Sequence, residues 1–506
     1  MNEINGKRVL IFQQRRWAMS IGHFLAKKLQ AEGCKLAALT AKKSVHNFVI
    51  SQTDVKYDLI ISSDVPKSRP KEYLNGVTYS LTEICEDLGI DTIWPLVAGA
   101  RFHVKSYKDK YYYGFKQNVS DEGITDYIMA VYKYIKIIFS DFKPDLIIAP
   151  NFATLHHMMF NLYAKKRGIK MLAVTDTKIR GQWVSTYNYH CETGPFYEHI
   201  DSLNDGCAET QNRQLAKNFI KEFRQEFKIP TYCDEPQTDK NFIKKIRSNL
   251  SPLYQILMWY LKKSEDLWES IGVTPDYRPP KIILRDYFSQ KKYQKFADNF
   301  NYTPLESIKN YVYFPLQVQP EESIDVYSPF FNNQIETARL VAMSLPGDYT
   351  LVVKDHPGMS NKRPPSYLQK IDRTVNVKLV DYRLSSEKIL KRADMVISPG
   401  GTVIAEAAFL IKPVIQLGDL GTTLKLPNVF KHTDMRTLSK KIKEVWQVNL
   451  HTPEYERRLE NFVAAAYDKG IDVNYLEIWQ ESDKKNMKQT EKLWEFYKKE
   501  ILDILR

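Results

Sequence analysis

Short runs of β-branched and aromatic residues ending in polar or glycine-rich turns recur along this chain, with helically spaced apolar residues between them. Val9–Phe12 predicts a first strand and Gly22–Gly33 a helix closed by its terminal glycine. Lys35–Leu39 predicts the next strand and completes a βαβ unit. Further strands are expected at 57–61, 91–94, 145–149 and 170–174, with an apolar-faced helix from about Thr125 to Ser140 before the Pro144-Asp145 turn.

The pattern changes after Cys233. Lys- and aromatic-rich helices punctuated by Pro252, Pro275, Pro279 and Pro280 lead to Phe300, a composition that suits a bridge better than a catalytic unit. A second alternating stretch opens at Tyr311–Phe314, with strands expected at 349–353, 376–380, 394–398 and 413–417. Beyond Pro453 the chain turns helical, and Leu493, Trp494, Tyr497, Ile501, Ile504 and Leu505 share one helical face that must dock on something. The predicted fold is therefore α/β: two doubly wound Rossmann-like domains, the arrangement called GT-B, with a helical bridge and C-terminal helices. The expected boundaries are 1–232 (acceptor side), 233–305 (bridge), 306–450 (nucleotide-sugar side) and 451–506 (helices packing back across the domains).

Composition narrows the partners. The 506 residues carry a net charge of +13, enough to draw the chain to an anionic partner. No zinc-finger spacing, RNA-binding aromatic signature or Arg-rich tract supports nucleic acid. The lysines sit instead beside aromatics, in 259–263, 291–293 and 494–499, as interfacial helices do, so peripheral contact with an anionic membrane is expected; a solvated helix face is the competing reading. Tyrosine (31) outnumbers phenylalanine (24), which suits sugar faces or polar-rimmed packing. Five scattered cysteines (Cys34, Cys85, Cys191, Cys207, Cys233) form no C-x-x-C pair, arguing against a disulfide framework or structural zinc and for a reducing cytoplasm. A strand begins almost at the N-terminus and no apolar run approaches ~18 residues, so neither signal peptide nor membrane span is expected.

Two strand ends carry the candidate chemistry. The strand before Lys354 runs into Asp355-His356-Pro357, and Asp394–Ser398 runs into Pro399-Gly400-Gly401-Thr402, with Glu406 one helical turn further on. Glycines there let a backbone approach an anion, and Ser398, Thr402 and the following amides can hold phosphate. A tight structural turn is the plainer alternative. His356, fixed by Pro357, can donate to phosphate or a sugar carboxylate, and Lys354 adds charge unless it faces away. Glu406 shares a helix face with Thr402 and suits ribose hydroxyls; complementing the helix dipole is the other possibility. Gln317, Gln319, Glu321 and Glu322 decorate the loop after the second unit's first strand, where amides can read hydroxyls or a base edge.

Tyr313–Glu321, Val353–Pro357, Ile397–Thr402 with Glu406, and Lys412–Val414 occur in one order over about a fifth of the chain. In that order they resemble the signature blocks of the bacterial capsule polysaccharide biosynthesis family, which includes Kdo-transferase-like glycosyltransferases. The resemblance implies transfer of a sugar from a nucleotide donor, CMP-linked donors among them, to a surface glycan or its lipid-linked precursor, with no required cofactor. No Asp-x-Asp follows a strand, so no metal is expected. For the base or nucleophile, Asp176 with Arg180 close behind, then His23, are the first candidates, ahead of the His156-His157 pair and Glu192. A CDP-polyol phosphotransferase, a nucleotide-sugar epimerase and a non-enzymatic glycan-assembly scaffold are the alternatives.

Overall fold

The computed structural model describes residues 3–100, 120–227, 242–261, 279–480 and 487–506. The first sheet contains β1 (Arg8–Gln14), β2 (Lys35–Ala41), β3 (Leu59–Ser62), β4 (Leu146–Ile148), β5 (Lys170–Asp176) and β6 (Gln182–Thr186). The second contains β7 (Tyr311–Pro315), β8 (Thr350–Lys354), β9 (Val377–Val380), β10 (Met395–Ser398), β11 (Val414–Gln416) and β12 (Val429–Lys431). A short β13 (Ile471–Asp472) returns to the first sheet, whose order is β13-β6-β5-β4-β1-β2-β3; the second runs β12-β11-β10-β7-β8-β9. β6 pairs antiparallel with both β5 and β13, and every other pairing is parallel. Both sheets are thus doubly wound, with the strand order reversing between β1 and β4 and between β7 and β10, which is the GT-B layout.

The central strands β1, β4, β7 and β10 are buried on both faces, as near-continuous apolar runs dictate, while the outer β3 and β12 are only partly covered. The last helix packs against the first sheet. Leu493, Trp494, Tyr497 and Ile501 of the helix Met487–Leu505 join Val9, Ile11 and Leu172 in one core. The helices Pro195–Asn204 and Arg213–Glu226 pack on Pro453–Lys469 and share a core with the helix Val403–Phe409 of the second domain. In the bridge, Phe242–Tyr260 and Pro280–Asp298 pack on each other, and the second lies against Pro365–Asp372. Cys233 and Pro275 fall outside the described residues. Among the described residues no helix is long and apolar enough to cross a membrane.

Two sequence expectations fail. Residues 91–94 form no strand: Pro95 cannot donate to a ladder, and the chain enters the short helix Trp94–Val97 with Trp94 exposed. The first helical segment starts at Arg15, not Gly22, and passes through a wide turn at Ala18–Gly22 before His23–Ala31. Gly22 serves close packing, since a Cβ there would collide with Gln13 and Trp17.

Candidate functional site

The crossover between β7 and β10 opens a crevice at the carboxyl ends of the second sheet. Gln317 follows β7 and lays its amide across the turn after β10, with Nε2 3.3 Å from the Pro315 carbonyl and 3.4 Å from Ser398 Oγ. Gly401 has φ +102°, a left-handed conformation, and a Cβ at that position would overlap the Gln317 amide. Glycine is therefore required there on both counts. Ser398 is fully buried and donates to the Gly400 carbonyl at 2.7 Å, which closes the turn.

Beneath this turn lies a buried carboxylate. Glu406 is 6% exposed, takes a hydrogen bond from Thr402, and has no donor within reach of Oε2 among the described residues. Burial pushes it up to about 7, against the pull of Lys354 and Thr402. Lys354, the last residue of β8, is itself buried, so its charge acts on Glu406 and His356 from below the crevice floor.

The next strand end is tied in by a residue the sequence reading passed over. Arg363 is fully buried; it donates to Asp355 Oδ1 at 2.5 Å and to the Gln317 carbonyl at 2.6 Å, and stacks over Tyr367. It thereby joins the loops after β7 and β8. His356 stands exposed at the rim. The Gly358 amide donates to His356 Nδ1 at 3.1 Å, which leaves Nε2 to carry the proton and point away. Desolvation of the ring, with Lys354, Arg363 and Lys362 nearby, holds it down to about 4, so it is a neutral donor at physiological pH.

Gln319 is placed differently from the reading as a sugar-reading amide. It is buried, donating to Asp325 at 3.2 Å and accepting from Gln334 at 3.3 Å, so it braces the loop. Glu321 is exposed, accepts from the Ser323 hydroxyl, and precedes the short helix Glu322–Asp325.

Across the crevice, Asp176 ends β5 and pairs with Lys178 at 2.8 Å. Desolvation opposes the Lys178 charge, but Asp176, Glu192 and Glu321 together hold its ammonium above the ordinary range. Asp176 is in contact with this cation, and the charges of Glu192 and of Glu321, from the second domain, also act on it. Arg180 is half-buried in the loop between β5 and β6. His23 lies elsewhere, within its helix, 3.6 Å from Asp54 and edge-on to Phe48. His156 and His157 are buried against Phe12, which explains why desolvation drives His156 down to about 3.

Glu192 pins the seam between the domains. Its Oε2 accepts from the Thr422 amide at 2.9 Å and hydroxyl at 2.7 Å, and Gly421 is glycine because a Cβ would strike the Glu192 backbone. Close by, His190, Cys191 and Asp419 bring three possible metal-ligand atoms within 4.8 Å, though Asp419 is also paired with Lys431. Among the described residues no such group includes His356 or Glu406.

No family model matches the chain, and no curated protein matches it. Solved structures do. The chain is similar to the UDP-GlcNAc 2-epimerase from Neisseria meningitidis bound to UDP-GlcNAc, at 12% identity over 91% of this chain and 98% of that one, with a TM-score of 0.25. It is also similar to the β-Kdo 2,7 transferase of Thermosulfurimonas dismutans KpsC, at 14% identity over 69% and 87% of the two chains, TM-score 0.34. The β-Kdo 2,4 transferase of the same KpsC matches at 14% over 66% and 83%, TM-score 0.35. Likenesses of this size concern the layout of the fold.

Proposed function

We propose that the chain is a glycosyltransferase that takes a sugar from a nucleotide-sugar donor and passes it to a surface glycan or its lipid-linked precursor. The observation that carries the reading is the constellation at the β7/β10 crossover. There a left-handed Gly401 turn, a neutral His356 donor and a buried, half-satisfied Glu406 converge outside the strand ends. In this reading the diphosphate or phosphate of the donor lies against the turn at 398–402, with His356 Nε2 donating to it. The ribose hydroxyls donate to Glu406. Lys354 balances charge from beneath, and Arg363 holds the two loops at a fixed separation.

Asp176 is the residue we assign to the acceptor's hydroxyl, as base or as nucleophile, from the opposite side of the crevice. Its pairing with Lys178 holds the carboxylate in one orientation. The reaction then runs without a cofactor, the leaving phosphate being stabilised by fixed donors rather than by a required ion. Peripheral membrane contact belongs to the same reading. Leu253, Tyr254, Leu257 and Tyr260 are all more than half exposed on the helix Phe242–Tyr260, as is Phe288 on its partner helix. An apolar face beside Lys291 and Lys292 suits the boundary of an anionic bilayer.

Incubating the protein with radiolabelled CMP-, UDP- and GDP-sugars and with CDP-polyols tests the reading. Transfer of labelled sugar to a lipid-linked glycan fraction, without transfer of polyol phosphate, is the expected result. Interconversion of a free nucleotide sugar without transfer would favour the epimerase instead, and transfer of polyol phosphate the phosphotransferase.

A further inference from the structure

The carboxyl ends of the first sheet are lined with cations held in unusual backbone conformations. Among the described residues nine non-glycine residues have positive φ, and three of them lie just past strands of this sheet: Arg15 (+48°) after β1, Lys42 (+124°) after β2 and Lys178 (+69°) after β5. All three are basic. Left-handed backbone is unfavourable for a side-chain-bearing residue, and such strain persists where the surrounding structure over-determines the conformation.

Register places Arg15 and Lys42 next to each other, with Lys178 two strands away beyond β4. Gln14 pairs with Ala41 and Thr40 with Ser62, so Arg15 and Lys42 leave neighbouring strands side by side and the Ser63-Asp64 turn follows next. The charges of Lys67, Lys42, Lys43 and His46 all act on Asp64. Lys67 also acts on His156, in the helix that follows β4. Arg15, Arg16, Lys43 and Arg69 are exposed. The rim borders the crevice: Val326, Tyr327 and Leu420 of the second domain pack into the same core as Phe12 of β1.

Cations stepped along adjacent parallel strands, ~4.8 Å apart, match a chain of repeating anionic groups better than a neutral sugar, which amides and aromatic faces would read. We propose that this rim binds the acceptor, and that the acceptor is an anionic glycan bearing phosphate or carboxylate groups along its length. The proposal rests on the reading that the first domain holds the acceptor. An anionic membrane is the competing occupant. Exposed apolar residues are fewer on this rim (Met19, Ile50 and Val65) than on the bridge helices, where Leu250, Leu253, Tyr254, Leu257, Tyr260 and Phe288 stand exposed.

Binding to the full chain is measured with four probes: a poly(glycerol phosphate) oligomer, an oligosialic acid, a neutral dextran oligomer of similar length, and phosphatidylglycerol vesicles. The test variant is Arg15→Asn/Arg16→Gln/Lys43→Gln; asparagine tolerates the left-handed backbone and none of the three side chains is buried. A control variant, Lys388→Gln/Lys440→Gln/Lys443→Gln, removes the same charge from exposed sites on the second domain. One or both anionic oligomers should bind the wild type, dextran should not, and the rim variant should lose roughly 10²-fold in affinity where the control loses little. Which oligomer binds identifies the anionic group. Equal binding of dextran, or equal losses in rim and control variants, overturns the proposal. Loss confined to the vesicles replaces the glycan with a membrane. Nucleotide affinity is measured on the same samples: if the rim variant loses oligomer binding while no nucleotide binds the wild type, the rim stands and the donor assignment falls.

Discussion

Replacing Glu406 by glutamine should make the protein more stable and a poorer nucleotide binder, and both effects follow from one buried carboxyl. Burial raises Glu406 from the ordinary 4.5 to about 7. As pH rises, the unfolded chain gives up this proton first, so between pH 4.5 and 7 the native state binds more protons and the contribution of Glu406 to stability falls. Below pH 4.5 the group costs nothing by this route. Above pH 7 the cost reaches its plateau, which at 1.36 kcal/mol per pKa unit is about 3 kcal/mol. Glutamine has the same shape and no charge to bury. The Glu406→Gln and wild-type urea midpoints should therefore coincide near pH 4, separate through pH 5–7, and stay apart above it with the variant more stable. Taking the difference between the two proteins cancels the other carboxylates. Nucleotide affinity should move the opposite way. A charged acceptor contributes roughly 1.5–3 kcal/mol to a hydrogen bond from ribose, so the variant should bind about 10- to 100-fold more weakly above pH 7. Deoxyribonucleotides should show a smaller loss. A stability difference independent of pH, or a variant that binds ribonucleotides as tightly as wild type, refutes the reasoning.

His356→Ala should weaken binding of every nucleotide in a panel by about 10- to 100-fold with the circular dichroism spectrum unchanged, because the residue stands at the rim, outside the apolar core. Unchanged affinities would remove His356 from the site. Asp176→Asn should cut turnover by ~10²–10⁴-fold and leave nucleotide affinity near wild type; normal turnover would make the Asp176–Lys178 pair structural. Gly401→Ala forces a left-handed alanine against Gln317 and should lower the melting temperature by roughly 3–8 °C while impairing donor binding, whereas an unshifted melting curve would contradict the turn described. Leu253→Ser/Leu257→Ser/Phe288→Ser should reduce binding to anionic vesicles by at least ~10²-fold, and high salt should weaken what remains; retention of binding would place the membrane surface elsewhere.

Local signals made the second domain legible. Its strands are short β-branched runs with polar ends, and the residues that cap them, His356 and the 398–402 turn, stand in the sequence where the fold puts them in space. Glu406 could be read because a helix turn joins it to Thr402. What stayed hidden depends on contacts across sequence distance. The Glu192–Thr422 bond spans 230 residues, and the Lys178 cluster draws Glu321 from the other domain. Arg363 could have been found: a lone arginine eight residues past Asp355, in a loop opened by His-Pro, has a nearby carboxylate to pair with. Gln319 reads like a surface amide, and only the fold of its loop buries it. β6 and β13 were missed because an antiparallel edge pairing leaves little continuous apolar run, and β13 has only two residues. At 91–94 a β-branched pair outweighed Pro95, which should have decided the matter.

A crystal structure of the chain with the nucleotide sugar that most raises its melting temperature tests the central claim most directly. The account predicts phosphate oxygens against the 398–402 turn within hydrogen-bond reach of His356 Nε2, ribose hydroxyls on Glu406, and the sugar directed toward Asp176. A nucleotide seated on the first sheet's basic rim, with the crevice between β7 and β10 empty, would contradict it.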